Sequence, residues 1–364
     1  MGASASDSPR LSPLTFADLS GWAEDDHAAA LAAFRAGANV LAEHPPKSRG
    51  LRVDAGALAE ILTRAAKLPP ATSAHEAGAF FEAEFQPFEV IPAEGGGFFT
   101  GYYEPEVAGS LQRTTEFRYP LLRQPSDLVE IAPGEAPQLD PSFRFARRAA
   151  NGYVEHPDRK AVMEGALADR GLELVWLANA VDAFFIHIQG AARIRFAGGA
   201  IVRVTYAAKS GHPYTPIGRV LIDMGALTRD EATMHGIRAW LAGNPDKSDA
   251  VMAKNRSYIF FREAPVADES LGPIGAAKVP LVAERSLAVD RLLHTFHSPV
   301  WIETTLSGGT PFRRLMVAHD TGSAIVGPAR GDIFFGSGDA AGEIAGAMRS
   351  AGRFVILMPR ENTR

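Results

Sequence analysis

The sequence predicts a mainly β protein with N-terminal helices, its short strands arranged as a barrel or sandwich rather than a doubly wound sheet. Three observations carry this. Apolar residues recur at helical spacing through successive segments of the first part of the chain. From Gly97 onward, runs of four to six residues rich in Val, Ile and Phe are punctuated by Gly and Pro. Within Arg314 to Gly338 (RLMVAHDTGSAIVGPARGDIFFGSG), two such runs end or begin on aspartates, Asp320 and Asp332, and a third aspartate, Asp290, closes SLAVD upstream.

Taken in order, residues 1–20 form a polar, Ser-rich leader expected to be disordered. Its start, MGASAS, fits the N-myristoylation pattern only by its small residues. Trp22 to Glu43 places Leu31, Phe34, Ala38 and Leu41 on one face and stops before Pro45-Pro46. Leu58, Ile61, Leu62 and Ala65 repeat that spacing up to Pro69-Pro70. Ser73-Ala-His-Glu76 then reads as a capping box ahead of a helix carrying Phe80, Phe81 and Phe85.

From Gly97 the character changes, which marks a domain boundary. Ser126 to Pro157 reads as a long irregular excursion, with a short helix after Asp158. LELVWLANAV and AFFIHIQG read as strands, and RIRFAGGAIVRVTY as a hairpin turning at Gly198-Gly199. Tyr206 to Arg219 reads as a polar loop, and Thr228 to Glu231 as the cap of a helix running to Gly243. Strands resume beyond Asn255, followed by a helix over Ala340 to Ser350, with Asp339 as its N-cap, and a last strand, Phe354 to Leu357.

Composition narrows the function. The net charge of −5, with both signs interspersed and no basic tract, argues against a nucleic-acid backbone as partner. No window approaches the length of a membrane-spanning apolar helix, and no signal peptide is evident. The absence of cysteine excludes disulfides and thiolate chemistry. Gly336 to Gly342 imitates a dinucleotide fingerprint, but Asp339 would face the pyrophosphate and no strands remain to complete that fold, so no nucleotide is expected. His294-x-x-His297 has no third ligand nearby, so neither metal nor other cofactor is expected, and the two histidines read as solvated turn residues.

An aspartate between Gly331 and Ile-Phe-Phe is placed for partial desolvation. That raises a carboxyl pKa and lets the group hold a proton as a general acid must. The same placement also suits a turn-former that binds its own backbone, and the residues alone leave both readings open. Gln189 and the loop Lys209 to Tyr214 carry amide, ammonium and phenol groups suited to sugar hydroxyls, and Tyr102 and Tyr103 can stack on pyranose faces.

In combination, FFTGYYEPEVAGS, FFIHIQG, YAAKSGHPYTPIGRVLIDMG, SYIFFR, VPLVAERSLAVDR and RLMVAHDTGSAIVGPARGDIFFGSGDAAGEIAG resemble the membrane-bound lytic murein transglycosylase A family, from about Phe98 to Pro359. The resemblance implies a double-psi β-barrel domain made of residues 21–104 and 253–364, a smaller β-barrel inserted as 105–252, and a groove between them. It implies cleavage of the β-1,4 bond between N-acetylmuramic acid and N-acetylglucosamine of peptidoglycan without water, leaving a 1,6-anhydromuramyl end: a lytic exotransglycosylase, hence a lyase. Asp332 would be the single catalytic acid and base, supported by Asp320 and Asp290. Thr100, Tyr102, Tyr103, Glu104, Gln189, Lys209 and Tyr214 would bind substrate. The expected partner is the peptidoglycan glycan strand, and the expected setting a monomer in the periplasm or cell envelope. The lipid-anchoring cysteine of a membrane-bound member is missing, so the member is either anchored to the outer membrane in full-length form through a leader absent here, or soluble.

One carboxyl group suffices for such chemistry because the sugar's own C6 hydroxyl replaces the water that ordinary glycosidases activate with a second carboxylate. The alternatives are a hydrolysing muramidase with Asp320 as second carboxylate, and a non-catalytic glycan-binding module. The chain departs from the family pattern at Leu292 to His297 (LLHTFH), at Ala191-Ala192 after Gly190, and at Ser210 after Lys209. The first two bear on loop geometry and the third on a sugar contact.

Overall fold

A computed structural model describes residues 9–266 and 268–360. The chain divides into two compact units: the first takes residues up to Tyr103, Glu269–Gly336 and everything from Ala340, and the second takes Glu104–Asp268 and Ser337–Asp339.

In chain order, the first unit opens with β1 (Arg10–Pro13), α1 (His27–Arg35), α2 (Ala55–Ala66), α3 (Ala74–Glu84), β2 (Phe85–Ile91) and β3 (Gly97–Glu104). Residues 1–8 of the expected disordered leader lie outside the described residues. The remainder corrects that expectation, because β1 pairs antiparallel with β2 from Arg10↔Ile91 to Pro13↔Phe88. The capping box forms as read: Ser73 Oγ accepts from the Glu76 amide at 3.3 Å and the Glu76 carboxylate accepts from the Ser73 amide at 2.9 Å. The first helix is shorter than its periodicity suggested, and a 3-10 segment, Ala36–Val40, follows it.

The second unit follows with β4 (Glu106–Ser110), β5 (Tyr119–Leu122), β6 (Leu128–Glu130), β7 (Phe145–Ala149), β8 (Gly152–Val154), α4 (Arg159–Met163) and β9 (Glu173–Leu177). It continues with α5 (Ala180–Gln189), β10 (Ala191–Arg195), β11 (Ile201–Lys209), α6 (Ile217–Asp223), α7 (Met234–Gly243), α8 (Pro245–Met252) and β12 (Ile259–Ala264). Its main sheet runs β12-β11-β10-β4-β9-β5, and a bridge between Arg123 and Phe261 joins the two edges into a small barrel. Ile186, Ile194, Val204, Val175 and Phe261 fill its core.

Five expectations change here. AFFIHIQG is the helix α5, capped by Asn179 and ended by Gly190 at φ +82°. The excursion 126–157 holds a small sheet, β6-β7-β8. The polar loop 206–219 contains the end of β11 and the start of α6, and α7 begins at Met234, capped by Thr233, although Thr228 and Glu231 do cap each other. The second unit extends to 268 rather than 252, because β12 pairs with β11 from Arg203↔Ala264 to Lys209↔Ile259.

The chain then returns to the first unit with β13 (Ser286–Val289), β14 (Pro299–Thr305), β15 (Pro311–Asp320), β16 (Arg330–Ser337), α9 (Asp339–Ala347) and β17 (Arg349–Pro359). Its sheet runs β1-β2-β17-β14-β15-β13-β16-β3 and closes through β17–β3, with β13 parallel to β15 and antiparallel to β16. The closed ring is β17-β14-β15-β13-β16-β3, and β2 and β1 continue the sheet from β17 outside it. Trp301, Phe99, Phe334 and Phe354 are fully buried within this unit. His294 and His297, expected to be solvated, are each only 1% exposed.

Candidate active site

Backbone register brings the carboxylates together. Ala288 on β13 pairs with Asp320 on one side and with Asp332 on the other. Residues opposite one another across strands share a face, so both side chains project from one row, with Cα atoms about 10 Å apart across two strand spacings.

Strand β3 supplies the donors. Its side chains alternate between faces, so Thr100 and Tyr102 fall together and Tyr103 is turned away. Thr100 Oγ1 donates a short hydrogen bond to Asp332 Oδ1, and Tyr102 Oη donates to Asp320 Oδ2 at 3.0 Å. Tyr103 is buried and packs against Gly342.

The two carboxylates differ in how far they are occupied. Asp320 Oδ1 accepts from the Ala276 amide at 3.0 Å while Tyr102 holds Oδ2, so both oxygens are engaged. Asp332 Oδ1 is held by Thr100, whereas among the described residues no protein donor is bonded to Oδ2. Both aspartates are half-buried. Burial pushes the Asp332 carboxyl above its ordinary range, against the pull of the Arg330 charge and the Thr100 hydrogen bond. Burial also raises Asp320, with the charge of Asp332 adding to it; the amides of Thr321 and Ala276 and the Tyr102 hydroxyl oppose the rise. Tyr102 is pushed well up by burial and by the two carboxylates, so it remains a donor.

Arg330 belongs to this constellation and was not singled out from sequence. It lies two residues before Asp332 on β16, and i and i+2 share a strand face, which was the signal available. Its Nη2 donates to Thr100 Oγ1 at 2.6 Å, its Nη1 donates to the Gly331 carbonyl, and its guanidinium lies over the Phe98 ring at 5.2 Å.

The remaining sequence-predicted residues are placed as follows. Asp290 accepts from the amides of Leu292 and Gly327, each at 2.9 Å, so it ties the loop after β13 to the loop before β16. That is the turn-former's geometry. Glu104 is enclosed in the second unit: Arg193 Nε donates to it at 3.0 Å, Arg203 Nη2 at 2.9 Å and Ser337 Oγ at 2.7 Å. With its side chain at 0% exposure, it is a buried counter-ion, which corrects its assignment as a sugar contact. Gln189 ends helix α5 rather than a strand, Lys209 ends β11, and Tyr214 is half-buried in the turn before α6; all three belong to the second unit. Ser210 is fully buried, and its hydroxyl accepts from the Tyr258 amide at 3.1 Å, so its side chain is not a sugar contact. Among the described residues, no group of three His, Asp or Glu is placed to hold a metal ion.

A second unit inserted into the sequence of the first, with an aspartate row on the C-terminal strands, defines a two-domain class to which comparison with known proteins gives a family. The model of the MltA specific insert domain matches residues 98–262, and that of the 3D domain matches residues 285–358. A solved membrane-bound lytic murein transglycosylase from Agrobacterium tumefaciens is 47% identical with a TM-score of 0.90, the match covering 96% of this chain and 98% of that one. MltA of Escherichia coli with bound chitohexaose is 27% identical with a TM-score of 0.63, over 84% of this chain and 82% of that one. In sequence, the membrane-bound lytic murein transglycosylase A of Escherichia coli K12 is 31% identical over 268 residues, which is 71% of this chain and 65% of the relative's length. This chain belongs to the membrane-bound lytic murein transglycosylase A family.

Proposed function

We propose that this chain is a lytic transglycosylase that cleaves the β-1,4 bond between N-acetylmuramic acid and N-acetylglucosamine in peptidoglycan, with Asp332 as acid and then base. The observation that carries this reading is the asymmetry of the two carboxyl groups. Burial raises both carboxyls, but Asp332 offers one oxygen free of protein donors, whereas Asp320 has both oxygens taken. A hydrolase would need a second carboxylate able to accept a proton from water or to attack the sugar. The occupied Asp320 is poorly suited to either task.

In this mechanism the Asp332 carboxyl protonates the glycosidic oxygen as the C1–O4 bond breaks. The C6 hydroxyl of the same muramyl residue attacks C1, and its proton passes to the Asp332 carboxylate, restoring the acid. The nucleophile is intramolecular, so its effective concentration replaces water activation. Asp320, hydrogen-bonded to Tyr102, contributes negative potential towards the oxocarbenium-like sugar. Gln189, Lys209 and Tyr214 are proposed to contact the glycan from the second unit. The relatives are named membrane-bound murein transglycosylases, which supports a cell-envelope location; action as a monomer and attachment at the outer membrane are part of the proposal. No helix among the described residues is long and apolar enough to cross a membrane.

The test is mass spectrometry of fragments released from purified peptidoglycan by the wild type and by Asp332→Asn. Muropeptides lighter by one water than lysozyme products, absent with Asp332→Asn although glycan binding persists, support the reading. Ordinary reducing muramic ends would instead identify a hydrolase, and no release would identify a binding module.

A further inference from the structure

We propose that Arg330 is a positioning residue: by donating to Thr100 it fixes the direction of the Thr100–Asp332 hydrogen bond and confines the transferable proton of Asp332 to Oδ2. The inference rests on the reading of Asp332 as the acid and extends it to the residue that decides which oxygen is acidic.

A threonine hydroxyl has one hydrogen and two lone pairs, and it rotates to suit its neighbours. Beside a lone carboxyl group it can act either as donor or as acceptor. A guanidinium has no acceptor, so the 2.6 Å contact between Arg330 Nη2 and Thr100 Oγ1 has one direction: arginine donates and the hydroxyl accepts. The hydroxyl hydrogen then points to the acceptor on its other side, Asp332 Oδ1. Hydrogen bonds in series polarise one another, so the cation strengthens Thr100 as a donor. A proton on Oδ1 would face that donor and the positive charge behind it. A proton on Oδ2 faces neither.

The placement of Arg330 supports this use. Among the described residues it forms no ion pair, so it is not a salt-bridge strut. Its Nη1 is occupied by the Gly331 carbonyl, and its guanidinium carbon lies over the Phe98 ring. These contacts leave Nη2 aimed at Thr100. The side chain is half-buried, and its charge still acts on Asp332, opposing the rise that burial causes. Arg330 therefore fixes the geometry of the acid and tempers its pKa by the same placement.

The experiment compares wild type, Arg330→Gln, Arg330→Lys, Thr100→Val, Thr100→Ser and Arg330→Gln/Thr100→Val on soluble glycan fragments, with Asp332→Asn as reference. The expected result for Arg330→Gln is a fall in kcat of roughly ten- to a hundred-fold with KM within about two-fold, the range that misplacing a catalytic group produces. The alkaline limb of its pH profile should move up by about one unit as the opposing charge is lost. Arg330→Lys keeps the charge without the planar fork, so it should restore the pH limb but not kcat. Thr100→Ser should keep most of the activity that Thr100→Val loses, and the double variant should fall less than about two-fold below Thr100→Val alone.

Additive losses in the double variant, or wild-type kcat and pH profile in Arg330→Gln, would overturn the inference while leaving Asp332 as the acid. Turnover by Asp332→Asn would overturn the reading beneath it. If Arg330→Gln unfolds, the unchanged melting temperature required of Arg330→Lys keeps the kcat comparison decisive.

Discussion

Replacing Glu104 by Gln separates a structural role from a sugar-binding one. The carboxylate is fully enclosed and accepts from Arg193 at 3.0 Å, from Ser337 at 2.7 Å and from both Nε and Nη2 of Arg203. The side chains of Arg193 and Arg203 are themselves only 7% and 6% exposed. Glutamine keeps the shape but removes the charge, and it turns an NH2 group towards donors that need acceptors. Breaking a buried ion pair by removing one partner costs about 3–5 kcal/mol, because the surviving charge has no solvent to turn to. Two stranded guanidiniums place the expected loss at the upper end of that range. For a unit of this size each kcal/mol lowers the melting temperature by about 2–4 °C, so the drop should be roughly 10–20 °C. The assay is thermal unfolding followed by calorimetry, together with glycan affinity measured well below the lowered transition. The expected outcome is a large loss of stability with unchanged affinity. Near-wild-type melting with weakened glycan binding would refute the reasoning and return Glu104 to the substrate.

Other perturbations have equally defined outcomes. His294 and His297 are buried and desolvation holds each at about pKa 4, with His319 pushed well below its ordinary value, so all three stay neutral in the folded state. Their folded pKa values lie below the unfolded one, so the stability linked to them is present above about pH 6.5 and is lost as pH falls towards 4, on the order of 3 kcal/mol for each of the first two. Denaturant titrations from pH 7 to pH 4 should show it, and a flat profile would sink the idea. In Gly101→Ala a Cβ would stand 2.7 Å from Phe335 Cε2 and 2.8 Å from Ala345 Cα. Overpacking of this kind costs about 1–3 kcal/mol, and because Gly101 lies between Thr100 and Tyr102, kcat should fall together with chemical stability. Tyr102→Phe removes a single donor to Asp320, so kinetics should show a loss of under about ten-fold, far milder than Asp332→Asn; equal losses would make Tyr102 a participant in the chemistry.

The helical start of the chain was legible because its signals are local: Asp54 and Ser73 cap their helices through their own neighbours, and the prolines stop them. The hairpin of β10 and β11 was legible for the same reason, with Ile194 opposite Val202 as the alternation suggests. Helix α5 was not. AFFIHIQ is apolar on every side, so periodicity cannot distinguish a buried helix from a buried strand, and the deciding signals were Asn179 ahead of it and Gly190 after it. Strands β7 and β8 were hidden in a polar excursion, although Asn151-Gly152 is a hairpin signal and Gly152 takes φ +115° there. At the site, the motif singled out Asp332, Asp320 and Thr100, and nothing local could say that Glu104 faces two arginines roughly a hundred residues away in sequence. Pairings at that separation depend on how the strands assemble.

The aspartate row also gives two carboxyl groups so close in sequence different surroundings, on which the proposed division of work rests. Both are desolvated, and desolvation alone would make either one a proton reservoir. Both take a donor from β3, so what divides them is their place in the strand and the loop behind it. Asp320 ends β15, where the chain turns, and the backbone amide of Ala276 together with the Tyr102 hydroxyl reaches its oxygens; these donors oppose the rise that burial causes and leave neither oxygen without a protein donor. Asp332 lies inside β16, where neighbouring amides are committed to the ladder, and only a side chain from β3 approaches it. The strand interior therefore leaves one oxygen uncommitted, while the strand end does not. A fold that sets one aspartate at the end of a strand and the other two strands across, in the same row, thereby gives two identical residues unlike surroundings, and under the proposed function it is the one with an oxygen left open that carries the proton.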